Sequence, residues 1–342
     1  MTHNTSKIKG ALIGSAIGDG FGYPTEFKTV AEIKAEWGEN GLTAPLGEII
    51  KVTDDTQMAL AVSEALMRSY INDKLDFQLF ELFLIEAFIK WLNDPENNRA
   101  PGMTCLTSCE NLERRMPWKE ATAKNSKGCG ANMRVTPVPL VKFKHTNFTD
   151  TDIAKWSQFQ SAVTHAHPTA LAASDLTAIA ILRMMEGISP ESLLNELEAY
   201  CHSQMNVYHE DVLGDVWVRP GVMTPEDFIS RGWQECLDVL KRLEVGIKKG
   251  DRNADPCDYT GEGWVAEESL ATALLCFLQY PDEPAETLIQ AVNTRGDSDS
   301  IACLAGAFAG ARHGLEGFPG DWVSRIEYQI EMNKFVDFIT SS

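Results

Sequence analysis

Apolar positions recur at helical spacing over most of the chain, and the clearest register starts directly after a pair of carboxylates. Met58, Ala59, Leu60, Ala61, Val62, Ala65, Leu66 and Met67 follow Thr53-Asp54-Asp55-Thr56-Gln57, which predicts a helix with both aspartates at its N-terminus. A small-residue run, Ile301 to Gly310, follows Gly296-Asp297-Ser298-Asp299-Ser300 in the same way. Near the start, Gly10, Gly14 and Gly18 recur four apart, with Ala11 and Ser15 beside them, and predict a buried packing helix over Ile8 to Gly18. That helix is expected to end in Asp19-Gly20-Phe21-Gly22-Tyr23-Pro24-Thr25-Glu26-Phe27, which puts Asp19 and Glu26 on a loop as either caps or ligands.

Residues 28 to 51 read as a turn-rich connection. A strongly apolar helix is expected from Phe77 to Leu92, stopped by Asn93-Asp94-Pro95, followed by a polar excursion from Glu96 to Lys127 with a short helix near Leu106 to Arg115. A further helix runs from Pro168 through Met185, and others are expected at 190–203, 225–248, 264–280, 284–293 and 322–340. An acidic stretch, Asp251 to Gly263, lies among them. No segment of any length alternates with period two, so the chain reads as all-α, a single compact domain over 1–342. The two small-residue helices echo each other but are too short to form a repeat.

Forty-nine acidic residues against thirty basic ones give a net charge of −19. That balance argues against a nucleic-acid or anionic-membrane surface, since both call for a basic face. Eight cysteines show no C-x-x-C pairing and several fall in apolar helical runs, as in a reduced cytoplasmic protein. The segment Lys7 to Gly18 imitates a signal peptide but stops at Asp19, and no run approaches the roughly 20 apolar residues of a membrane span.

The candidate chemistry begins with the aspartates. A lone Asp-Asp at a helix start is ordinarily a cap, satisfying free N–H groups and the dipole. Two such starts facing one cleft would bring four carboxylates together, a density of like charge that calls for cations. An all-oxygen set suits Mg²⁺, Mn²⁺ or Ca²⁺ over zinc. In Asn125-Ser126-Lys127-Gly128-Cys129-Gly130-Ala131-Asn132-Met133-Arg134-Val135-Thr136-Pro137, the glycines can turn N–H groups towards an anion and Lys127 and Arg134 can add charge. The alternative there is a plain turn before a helix. In Thr164-His165-Ala166-His167-Pro168 the histidines contact a ligand, bind metal or pack at a helix start; with no cysteine or third histidine nearby, metal binding is the weaker choice. Asp297-x-Asp299 is not a calcium hand, because Ala302 and Phe308 stand at that loop's glycine and glutamate positions. H-E-x-x-H, the P-loop, G-x-G-x-x-G, G-x-S-x-G and a His-Asp dipeptide are all missing.

Taken together, Gly10-Ala11 through Gly18-Asp19, Gly22-x-Pro24-x-Glu26, Thr53-Asp54-Asp55-Thr56, Lys127 to Arg134, Thr164-His165, Gly263-Trp264-Val265 and Gly296-Asp297-Ser298-Asp299-Ser300 resemble, in order, the ADP-ribosylglycohydrolase family, which includes the dinitrogenase reductase-activating glycohydrolase. The resemblance spans roughly residues 8 to 315. It implies a compact, orthogonally packed multi-helix fold with a binuclear Mg²⁺ or Mn²⁺ centre in a cleft. By resemblance, Thr53, Asp54, Asp55, Asp297, Asp299 and Ser300 hold the metals, and Glu26 lies beside them. Gly128, Cys129, Gly130, Ala131, Asn132 and Met133 hold a diphosphate, with Lys127 before them. His165 faces ribose or phosphate and Trp264 the nucleotide. Ser300 stands where many members have threonine. Arg295 stands where glycine is frequent and either contacts substrate or faces solvent.

Hydrolysis at the anomeric carbon of ADP-ribose passes through an oxocarbenium-like state and needs a held sugar and a delivered water. Two metals roughly 3.5–4 Å apart supply that water and orient the ribose hydroxyls. Glu26, Asp54, Asp55 and Asp299 are the catalytic candidates, Glu26 for proton transfer or water positioning. The expected substrate is an ADP-ribosylated protein, from arginine because an acidic cleft attracts that cation, and free ADP-ribose is the product. The rival readings are an immunity-type or regulatory protein that blocks a cognate ADP-ribosyltransferase, and a Mg²⁺-dependent nucleotide phosphohydrolase. An inactive relative would be expected to have lost a metal aspartate, and none is missing.

Overall fold

Four glycines set the central contact. The N-terminal helix, His3–Gly22, lies antiparallel to the second aspartate helix, Ser298–His313. Gly10, Gly14, Gly18 and Gly22 face the backbones of Gly310, Gly306, Ala302 and Ser298 in turn. A Cβ at any of the four would fall inside the opposing backbone, so only glycine permits this approach. The N-terminal helix therefore runs four residues past the expected stop, because Gly22 continues the packing stripe and does not break it. Asp19 accordingly sits within a helix, contrary to the loop reading. The register has a functional consequence: it delivers the C-terminal end of one helix against Ser298 and Asp299 of the other.

The computed structural model describes residues 3–341; residues 1, 2 and 342 of the expected 1–342 domain lie outside them. Its buried hydrophobic residues form a cluster reaching from Ile8 to Ile339. Pro168–Glu186 is apolar nearly all round and buried over most of its length, as a central helix should be. The all-α reading holds: among the described residues the only paired strands are Tyr70–Ile71 and Lys74–Leu75, a hairpin turned through Asn72 and Asp73 at positive φ. Phe77–Leu92, Pro190–Gln204, Pro225–Lys249, Ala266–Gln279 and Pro284–Val292 match their expected ranges closely.

Three further segments differ from the sequence reading. The 28–51 connection contains a helix, Val30–Trp37, started by a capping box between Thr29 and Glu32. Asp150–Ala162 is a helix with the same device at Thr149 and Asp152, and its period is masked because Ser157, Gln158, Gln160 and Ser161 are buried alongside Phe159. The expected 322–340 helix is broken into Gly320–Arg325 and Gln329–Thr340. At the break Ile326 is extended and bridges to Ile50, while the Glu327 carboxylate accepts from Arg99 (Nη1, 2.6 Å) and from the Val52 N–H (3.2 Å). The interruption thus fixes the chain that leads into Thr53.

Asp175, fully buried in Pro168–Glu186, accepts from Tyr200 (2.8 Å) and Gln158 (2.8 Å), and burial pushes its carboxyl up to about 7. A raised carboxyl stabilises the fold below its ordinary range and loses that contribution as pH rises towards 7. Asp175→Asn should therefore raise the melting temperature increasingly from pH 4 to pH 7, by a shift worth a few kcal/mol at pH 8. The unpartnered Gln158 Oε1 can flip to accept from the new amide. A variant destabilised equally at pH 5 and pH 8 would show that Asp175 is not carrying a proton.

Candidate active site

The first aspartate motif is held by a carboxylate the sequence left undecided. Thr53 is the N-cap of Asp54–Arg68, and the turn is gripped by Asp19. The Asp19 carboxylate accepts from the Thr53 N–H (3.0 Å) and hydroxyl (2.8 Å) and from the Thr56 N–H (3.0 Å) and hydroxyl (2.5 Å). Asp19 is thus a cap borrowed from the N-terminal helix, which frees Asp54 and Asp55 from that duty. Asp54 accepts from the Gly102 N–H at 3.2 Å. Asp55 takes the Ser300 hydroxyl on Oδ1 at 3.4 Å, and its Oδ2 is buried without a partner.

The second motif supplies Asp297, Asp299 and Ser300, the last two in the first turn of Ser298–His313. Glu26 arrives from the end of the N-terminal helix, where Thr25 bonds Ser298 (3.0 Å) and Gly22 packs on Asp299. Carboxylate oxygens of Glu26, Asp297 and Asp299 lie within 4.8 Å of one another, and Glu26 Oε2 is buried without a partner. Asp54 and Asp55 stand outside that tight trio, with Ser300 joining Asp55 to the second motif.

Burial, reinforced by mutual repulsion, holds these acids far from their ordinary range. Glu26 is pushed up to about 8 by burial and then by Asp297, Asp54 and Asp19; Asp54 is pushed up to about 7 mainly by burial. Asp55 and Asp299 are raised well above the usual carboxylate range, and Asp297 is raised as well. Among the described residues no lysine, arginine or histidine forms an ion pair with any of the five. Buried orphan oxygens without a base fit a bound cation, for which the carboxylates, with the nearby Ser300 and Thr53 hydroxyls, would be oxygen donors.

The glycine loop lies against this centre, with a 3₁₀ turn at Cys129–Ala131. It is tied to the Trp264 segment by bonds from the Cys129 N–H to Trp264 O (3.2 Å) and from the Ala266 N–H to Lys127 O (2.8 Å). Asn132 donates to Ala266 O at 3.1 Å, while Ala131 and Met133 are buried. Cys129 Sγ reaches Asp297 Oδ2 at 2.7 Å, a contact with no signal in the sequence beyond the loop position itself.

The two positive charges expected to face an anion are committed elsewhere. Lys127 pairs with Glu235 (2.6 Å) and with the buried Glu267. Arg134 is fully buried, bonded to Gln160 and Thr164, with Phe88 under its guanidinium at 4.4 Å. Arg134 acts on the site indirectly. Its Nη2 donates to the Thr164 hydroxyl (2.8 Å), which is in turn hydrogen-bonded to His165 Nδ1 (2.8 Å). His165 is held neutral, down to about 3 by burial and then by Arg134, and its Nε2 faces Gly128 and Gly130. His167 instead caps Pro168–Glu186, accepting from the Thr169 N–H at 3.2 Å.

At the rim, Trp264 stacks on Phe27 with ring centroids 5.1 Å apart. Phe27 directly follows Glu26, has φ 63° and donates its N–H to Gly296 O, so the stacked pair joins both halves of the cleft mouth. The sequence reading missed Phe27; an aromatic next to a candidate acid was its only signal. Arg295, half-exposed, is tied into the acidic stretch. Its guanidinium binds Asp255 (3.0 Å), Asp258 (2.6 Å) and Glu262 (3.1 Å), locking the acidic stretch beside the second motif.

Two helix N-termini carrying aspartates, a glutamate beside them and a glycine loop under a neutral imidazole thus form one carboxylate-lined site in an all-α fold. Residues 1–341 match the ADP-ribosylglycohydrolase family, and the chain belongs to that family. It is 27% identical to the ADP-ribosyl-[dinitrogen reductase] glycohydrolase of Rhodospirillum rubrum, over 94% of this chain and 90% of that protein. It is also 27% identical to human ADP-ribosylhydrolase ARH3, over 94% of this chain and 89% of the other. A solved ADP-ribosylglycohydrolase-related protein complex shares the fold at a TM-score of 0.66 and 22% identity, covering 99% of this chain and 98% of that one. The chain is accordingly a glycohydrolase that removes ADP-ribose from modified substrates. Among the described residues no helix is long and apolar enough to cross a membrane.

Proposed function

We propose that this cytoplasmic enzyme, acting as one domain, releases ADP-ribose from modified proteins with two Mg²⁺ or Mn²⁺ ions, and that arginine is its preferred linkage. The observation that carries the reading is the group of five un-neutralised carboxylates: buried Asp54, Asp55, Asp297 and Asp299 at two helix starts, and half-buried Glu26 beside them. Thr53, Asp54, Asp55, Asp297, Asp299 and Ser300 would hold the ions. When bound, the ions would supply an activated water and orient the ribose hydroxyls. Glu26, with its free Oε2, positions that water or takes its proton. The Gly128 to Met133 backbone cradles the diphosphate, and His165 Nε2–H donates to a phosphate or ribose oxygen. Trp264, stacked on Phe27, offers a face to the nucleotide.

The linkage preference rests on charge. Asp255, Asp258 and Glu262 share one guanidinium, Arg295, which leaves the rim acidic. An arginine acceptor segment is attracted to such a rim; a serine-linked one lacks the cationic handle. A cognate ADP-ribosyltransferase is a fitting partner, since it makes the substrate.

Incubation with ADP-ribosylated peptides, with Mg²⁺ and with EDTA, followed by mass spectrometry, tests the reading. Intact ADP-ribose released only with the metal is the expected result, faster from arginine than from serine. Undiminished release in EDTA refutes the metal role, and release of phosphate or a nucleoside monophosphate marks a phosphohydrolase. The loop has its own test. A Cβ on Gly130 would meet Cys105 Sγ at 2.9 Å and His165 Cε1 at 3.2 Å, so Gly130→Val should displace the imidazole. ADP-ribose affinity measured by calorimetry is expected to fall by about tenfold, the equivalent of one lost hydrogen bond to a charged group. Unchanged affinity would remove the loop from the diphosphate site.

A further inference from the structure

A large apolar ring stands in water at the mouth of the cleft. Phe27 is 69% exposed although it stacks on Trp264, with planes 20° from parallel. One face of the ring is covered and the other is open. Its backbone lies at φ 63°, a region that a bulky side chain adopts only under constraint. The constraint is the N–H bond to Gly296 O (3.2 Å) together with the stack. Core packing does not explain a strained residue that holds its ring in solvent, and such outliers cluster at ligand sites.

The free charges around the ring are of one sign. Glu26 precedes it, and Glu262 lies two residues before Trp264. The Glu262 and Asp258 side chains stay about half-exposed even with Arg295 bound to both. Lys28, the cation next to Phe27 in the chain, is turned onto Glu36 (2.5 Å) and the Trp37 ring (4.5 Å). Elsewhere the chain covers aromatic faces with its own guanidinium groups, Arg68 over Phe83 at 3.9 Å and Arg134 over Phe88 at 4.4 Å. Among the described residues no lysine or arginine lies over Phe27 or Trp264.

We propose that the open face of Phe27 seats the guanidinium of the acceptor arginine in a cation–π contact and so determines the choice of linkage. The inference rests on the arginine reading above and names the residue that would enforce it. The two rings are assigned by their ties. Trp264 O accepts from the Cys129 N–H of the glycine loop, which places that ring with the nucleotide. Phe27 adjoins Glu26, at the end where the glycosidic bond is cut. The acceptor is part of a protein and has to leave through the mouth, past the open face. An arginine side chain is cationic at neutral pH both before and after cleavage. The contact therefore acts on binding more than on the chemical step. A serine acceptor brings no charge to the ring and takes nothing from its quadrupole.

Phe27→Leu keeps apolar bulk and removes the π-face, whereas Phe27→Trp keeps the face. Initial rates with Mg²⁺ on matched peptides carrying arginine-linked and serine-linked ADP-ribose are compared for both variants and the wild type, with circular dichroism as the check of fold. On the arginine linkage Phe27→Leu should raise KM about fivefold and leave kcat within about twofold. The serine-linked KM should not move, and Phe27→Trp should restore the arginine-linked value. Two further measurements separate the seat from the linkage reading. The unmodified arginine peptide, as a product inhibitor, should bind about fivefold more weakly to Phe27→Leu, and free ADP-ribose should bind both proteins equally in calorimetry. A wild type that favours serine refutes the linkage reading, and the inhibitor then judges the seat by itself: the fivefold loss upholds it, and absent or equal inhibition overturns it. Equal losses on both linkages, or weaker ADP-ribose binding by Phe27→Leu, would put the nucleotide on Phe27 and overturn the proposal. A fall confined to kcat, or no rescue by Phe27→Trp, would show that the ring only packs beside Glu26.

Discussion

Asp297→Ala is expected to reduce ADP-ribose release at least about 100-fold and, in EDTA, to make the protein more stable. The two effects share a cause. Asp297 is one of five clustered carboxylates without a basic partner, four of them buried, and it helps to raise Glu26, Asp54, Asp55 and Asp299. A carboxyl whose range is raised by folding contributes stability at low pH and loses it as pH climbs through the raised value. The metal-free wild type should therefore weaken from about pH 4 to about pH 8. Removing one repelling group should help most at the upper end and hardly at all at the lower. With Mg²⁺ present the order reverses, because an ion that binds only the folded wild type adds stability as its concentration exceeds its dissociation constant. Melting temperatures of both proteins, with EDTA and with Mg²⁺, at pH 5 and pH 8, check this crossing pattern. A variant less stable than wild type in EDTA at pH 8 would show that the cluster is not a site of stored repulsion.

The second large effect is structural. Gly18→Val should cost at least about 3 kcal/mol, because the added Cβ lands on the Ala302 carbonyl, which belongs to helix backbone and cannot rotate aside. The damage should also reach the site. Asp19 is the next residue, and its bonds to Thr53 and Thr56 fix the first aspartate motif. Urea unfolding measures the stability loss, and metal affinity should fall with it. Gly102→Ala serves as the contrast: nothing lies within 4 Å of a Cβ there and φ is −61°, so its cost should stay within about 0.5 kcal/mol. Equal behaviour of the two variants would mean that the helix approach is not what glycine is needed for.

Much of the fold is written locally. Asp76 and then Phe77–Leu92 are a cap and an apolar run, and nothing distant is needed to read them. The same holds for the two aspartate helices, whose acids sit at the ends that favour negative charge. Helices fail to show in the sequence where burial overrides local pattern. Asp150–Ala162 buries its serines and glutamines and so lacks the expected period, and the break before Gln329 exists because Glu327 is held by Arg99 and Val52, far away in the chain.

The residue types of the site were likewise present in the sequence; their partners were not. Spacing alone shows that Gly10, Gly14 and Gly18 share a helix face, and that two aspartate motifs each open a helix. Only the tertiary structure decides that these glycines pack on Gly310, Gly306 and Ala302, a pairing across nearly the whole chain that no local term encodes. That register carries Glu26 to Asp297 and Asp299 and turns Asp19 into a cap for Thr53. It was also the fold that gave Lys127 and Arg134 internal partners, because Glu235, Glu267, Gln160 and Thr164 lie at contact distance from them. Charge can be counted along a chain, but whether a charge is free or neutralised depends on neighbours a few ångströms away, and those are set by packing.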